Sequence, residues 1–199
     1  MEEKIKTLLD ETAARLSAGD LESALRLSAE ALATADAALK RPQGDTAAVV
    51  PDAAVDRLLE AADTHVRCLL MASMSVQALS CALLSLCTVD ICGVAKRPDC
   101  RERLAALLRT VIVAEMSAID TLPLNDETHD LGKALLGLTG FLLNSYGPAD
   151  DPLLAQIAQI CDVKSEPVID GTPTPASDLK RILAEMLGIA GALGILEFE

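Results

Sequence analysis

The chain has 199 residues, with 30 acidic against 17 basic side chains and a formal net charge of −13. That balance excludes a general phosphate-binding surface, so a nucleic-acid partner is not expected, and an anionic membrane surface would repel the chain as well. With no Trp, one Tyr (Tyr146) and two Phe (Phe141, Phe198), the stacking platform of single-strand binders is missing too.

Hydrophobic residues make up 51% of the chain but aromatics only 2%, so Leu, Ala, Ile, Val and Met must fill the interior. These residues favour helix over strand, and no four- to eight-residue stretch alternates cleanly between apolar and polar. The expected fold class is all-α: a single domain over 1–199 of stacked antiparallel helical hairpins, with about eight helices. The charged, amphipathic N-terminus Met-Glu-Glu-Lys-Ile-Lys lacks the apolar centre of a signal peptide, which predicts a cytoplasmic protein.

The first helix is expected over Glu2–Ser17, with Ile5, Leu8, Leu9, Ala13 and Leu16 on one face. Gly19 supplies the positive φ that closes it, and Asp20 accepts the free amides opening the second helix, Asp20–Lys40. That helix repeats the period at Leu21, Ala24, Leu25, Ser28, Ala31, Leu32 and Ala35. Arg41–Pro51, with Pro42, Gly44 and Pro51, reads as a linker. A second hairpin follows, from Asp52 to Ala72 and from Ser75 to Cys92.

Within it, Cys68–Val89 runs 22 residues without a charge, long enough to span a bilayer. Its serines, Gln77 and Thr88 weaken any insertion signal, and Ser73-Met74-Ser75 reads as a turn. Two buried helices are the favoured reading and a membrane span the competing one.

Pro98 suits the first turn of a fifth helix reaching Asp120. A sixth is expected over Thr128–Ser145, stopped by Gly147-Pro148, and a seventh over Asp151–Cys161, capped by Asp151-Pro152. Asp162–Ala176 carries Pro167, Gly171, Pro173 and Pro175 and is expected to be a mobile loop. Ser177 then opens a last helix reaching Leu196. Its Gly188, Gly191 and Gly194 form a smooth strip for close packing, within the chain or against a second subunit. In hairpins the prediction is about 2–40, 52–92, 98–145 and 151–196.

The opening hairpin resembles a tetratricopeptide repeat, through Gly19-Asp20 at the turn, Ala24 early in the second helix and Ala31-Leu32 late in it. Ser73-Met74-Ser75, Ala78 and Leu86 align the second hairpin with it, about 54 residues on rather than the family's 34. The sequence departs from the family at Arg15 and Ser28, where large aromatics are usual, at Thr12, where a small residue is preferred, and near Asp36, where no proline closes the unit. The resemblance implies a superhelix whose concave groove holds a peptide or a partner helix.

Catalytic and metal motifs are not found. The six cysteines show no C-x-x-C pair and lie mostly among leucines and alanines, where a reduced thiol fills apolar space. His65 and His129 are the two histidines. A metal or acid–base pairing competes with the plain reading of polar helix positions. No glycine-rich phosphate loop and no nucleophile elbow occurs. No catalytic residue, metal ligand or cofactor is therefore assigned, and an enzyme is not expected.

Five basic residues, Lys96, Arg97, Arg101, Arg103 and Arg109, gather mid-chain, ahead of 11 acids between Glu115 and Asp178. They read either as a clamp for an acidic or phosphorylated partner or as a helix face paired with the acidic half. The mean hydropathy of +0.33 implies apolar surface that needs cover, hence a protein partner or self-association. The expected function is a protein-interaction module. A small-molecule binder or enzyme with an apolar cavity between Cys68–Val89 and Arg103–Ile119 is the alternative, and a membrane-associated helical protein a further one.

Overall fold

The computed structural model describes residues 2–39, 52–91, 98–120, 127–148 and 150–162, and beyond them Arg181, Leu183, Ala184 and Gly188. These residues are all-α. Seven helices lie among them: α1 (Glu2–Ser17), α2 (Leu21–Leu39), α3 (Asp52–Met71), α4 (Ser75–Ile91), α5 (Pro98–Ile119), α6 (Glu127–Tyr146) and α7 (Pro152–Asp162). The expected linker 41–51 and the loop from 163 to 176 lie outside the described residues. Of the expected last helix, Arg181, Leu183, Ala184 and Gly188 are described, each helical.

The chain divides into two compact units, Met1–Leu104 and Ala105–Glu199. In the first, the helices pack in succession, α1 on α2, α2 on α3 and α3 on α4, with α1 also touching α3. The stripe of α1 that turns inward is Ile5, Leu8, Leu9 and Thr12, while Ala13 faces solvent. Thr12 can be buried because its hydroxyl donates to the Leu8 carbonyl at 2.7 Å, and it stands four residues past Leu8 and three past Leu9, on the same stripe. On α2, Ala24, Ala31 and Ala35 are almost wholly buried, and their small side chains let neighbouring helices approach closely.

The two hairpin turns share one geometry. Gly19 has φ +77°, the Asp20 amide donates back to the Arg15 carbonyl at 2.9 Å, and the Gly19 amide donates to Leu16 at 3.0 Å. Ser73 has φ +59°, with Met74 donating to Leu69 at 2.9 Å and Ser73 to Leu70 at 3.0 Å. Both are Schellman closures, with the left-handed residue just past the helix end. The next helix then opens alike in each hairpin. Ala24 donates to Asp20 and Ala78 to Met74, and both alanines are fully buried.

The turn at Ser73 breaks the uncharged run Cys68–Val89 into the end of α3 and most of α4. Among the described residues no helix is long and apolar enough to cross a membrane. In the second unit α7 packs on α6, and Leu135, Leu136, Leu142 and Leu143 of α6 are buried in the core.

Candidate functional site

Three groups of polar side chains stand out against this apolar interior. The first joins α2 to α3. Ser28 is fully buried on the core stripe of α2, and its hydroxyl donates to the Leu25 carbonyl at 3.0 Å. The Nδ1 of His65 lies 2.9 Å from the same oxygen. A hydroxyl has one hydrogen, and with that hydrogen on Leu25 the ring must donate from Nδ1, leaving the lone pair on Nε2. Cys68, three residues beyond His65 on α3, is buried in the same interior. Burial pushes the Cys68 thiol up from its ordinary value, partly offset by Ser28, and holds the His65 ring below its own. Serine, histidine and cysteine are the chemistry of a nucleophile and its base. Here Ser28 and Cys68 are both fully buried, so in this arrangement the hydroxyl tethers two helices.

The second group is in the other unit. Glu115 sits on α5 in register with Leu104, Leu108, Ile112 and Ile119, so the helical period carries a carboxyl into the core. It is 8% exposed. The Thr139 hydroxyl of α6 donates to the Leu135 carbonyl at 2.9 Å and lies 3.5 Å from the Glu115 Oε1, and Oε2 is buried with no hydrogen-bond partner among the described residues. Burial pushes this carboxyl up to about 8, with Thr139 pulling weakly the other way.

The third group anchors α7. Asp151 is the residue before that helix, and its Oδ1 accepts the Leu153 amide at 3.1 Å. Its Oδ2 takes Arg109 Nε at 2.6 Å. A Cβ on Gly147 would stand 3.4 Å from the Arg109 guanidinium and 3.1 Å from the Leu143 carbonyl, so glycine leaves room for the pair. Burial works to raise the Asp151 carboxyl. The hydrogen bonds from Arg109 and Leu153 and the guanidinium charge outweigh it, and the group ends below the ordinary carboxylate value.

The described members of the basic cluster each have a partner. Arg103 meets Asp56 at 3.5 Å, Arg109 is bound to Asp151, and Arg101 also has a partner. Lys96 and Arg97 lie outside the described residues. The two histidines fall in different units: His65 on α3, and His129 in the first turn of α6, 4% exposed with Nδ1 unpartnered among the described residues. Among the described residues no group of three or more His, Cys, Asp or Glu is placed to hold a metal ion. Cys68, Cys81 and Cys100 are buried as expected of apolar fillers, with the Cys81 thiol raised by burial to about 11. Cys161 departs from that reading, being exposed on α7.

Sequence reasoning passed over Ser28 as a helper of the apolar stripe and Glu115 as one acid among many. The available signal was the same for both, a polar residue falling on the core period of a helix. Large apolar side chains left in solvent include Met71 (61% exposed) and Leu84 (64%) in the first unit, and Val113 and Phe141 in the second. No family model, curated protein or solved structure matches the chain.

Proposed function

We propose that the chain is a cytoplasmic protein-interaction module whose stacked hairpins, of tetratricopeptide type, take a helix or extended peptide of a protein partner or of a second copy. The observation that supports this reading best is the doubled hairpin. Two helix pairs with the same Schellman turn and the same buried alanine after it are packed in succession, α2 against α3. Arrays built this way bury one face of each helix and leave long ridges and grooves free for a partner. Leu84, exposed in the middle of α4, is the apolar contact that such a partner would cover. The charge of −13 favours a partner with a basic surface and disfavours nucleic acid.

The test is affinity capture from native cells with the full chain and with Leu84→Glu, alongside sedimentation of both. A protein, or a second copy, held by the parent chain and lost by a variant of unchanged helicity supports the reading. Equal capture by both chains, or a monomer that retains only a small molecule by mass spectrometry, overturns it.

A further inference from the structure

We propose that α7 is a detachable latch, which lifts from α6 as a unit while α5 and α6 stay folded. The helix has 11 residues, too few to persist in water without a docking face. Only Ile157 of its side chains is buried, whereas α6 buries ten residues.

Among the described residues, three points hold it. At its start, Asp151 caps Leu153 and binds Arg109 at 2.6 Å. In the middle, Ile157 fills a notch left by Gly140, where an added Cβ would come to 2.8 Å from Cδ1 and 3.3 Å from Cγ2. At the end, the Cys161 thiol donates to the Lys133 carbonyl at 3.5 Å and lies 3.7 Å from the place of a Cβ on Gly137.

One buried isoleucine, three half-buried apolar side chains (Leu153, Leu154 and Ile160), one ion pair and one thiol contact are a slight hold beside the leucine core that fixes α6. Segments with so few buried apolar contacts open below the global unfolding limit. Opening uncovers Ile157 and the Gly137–Gly140 strip of α6 together. The ion pair and the notch set how often that happens.

Native-state hydrogen exchange on the full chain, read by mass spectrometry at low denaturant, tests this. The α7 amides are expected to exchange about tenfold or more faster than those of Leu135–Leu143, with a weaker dependence on denaturant. Arg109→Gln and Gly140→Ala should each speed α7 exchange by roughly threefold or more and leave α6 within about twofold. Gly140→Ala acts because the new methyl meets both Cδ1 and Cγ2 of Ile157, so that side chain must shift from its seat. Should that chain fail to fold, Ile157→Ala gives the same readout. Equal rates and equal denaturant dependence for α6 and α7, or variants that move both helices together, overturn the proposal.

Discussion

Gly19 and Ser73 occupy the same position in two copies of one turn, and only Gly19 does so without strain. A non-glycine residue at positive φ costs about 1 kcal/mol, because its Cβ crowds the backbone. Ser73→Gly is therefore expected to stabilise the chain by roughly 0.5–1 kcal/mol and Gly19→Ser to destabilise it by about 1 kcal/mol. Urea unfolding of the two variants checks the pair, and the opposite signs are the point. Glu115 poses a different question at the same scale. Its carboxyl has an ordinary value of 4.5 and rises to about 8 when buried. The folded chain thus favours the protonated form, and stability falls as the pH climbs from 4.5 towards 8, where the unfolded chain releases this proton first. Glu115→Gln removes that dependence. Thermal unfolding should show a gain over the parent chain on the order of a few kcal/mol larger at pH 8 than at pH 5. A difference that does not change with pH counts against the buried, unneutralised carboxyl.

Between elements, the join of α2 to α3 rests on more than alanine packing. Ser28→Ala strips the partner from His65 Nδ1 inside an apolar interface, and should cost about 1–2 kcal/mol. Ser28→Thr keeps the hydroxyl and supplies the control in the same denaturant titration. The acid limb of the stability profile belongs to this join as well. Burial holds the His65 ring below its ordinary 6.5. The neutral ring's contribution is complete above pH 6.5 and is lost as the pH falls below it, because the unfolded ring takes up its proton first. For α7, Asp151→Asn keeps a capping oxygen but gives up the charge beside Arg109. It should destabilise less than Asp151→Ala, which loses the cap, worth about 1 kcal/mol, as well as the charge. Helicity and melting temperature of the two variants give the comparison.

Across the whole molecule, the acidic excess governs association rather than fold. The isoelectric point near 4.5 sets where self-repulsion vanishes. Light scattering at low salt is expected to show association rising steeply as the pH is lowered towards that value. The sequence by itself determined the class and the punctuation. Apolar spacings of three and four marked the helices, Gly19 and the Pro98 and Asp151-Pro152 pairs placed their ends within a residue or two, and Ser73-Met74-Ser75 divided the uncharged run. Those signals are local, carried by backbone preferences and by one helix's own period, so they can be read without knowing the neighbours. Which polar residue on a buried stripe finds a partner is not local. Ser28 meets His65 across a helix interface, Glu115 faces the Thr139 hydroxyl at 3.5 Å, and Arg109 reaches Asp151 some forty residues away. Whether Thr12 or Ala13 turns inward depends likewise on what α1 packs against. Tertiary structure alone decided these, because the energy of a buried polar group is set by what the packed chain brings to it.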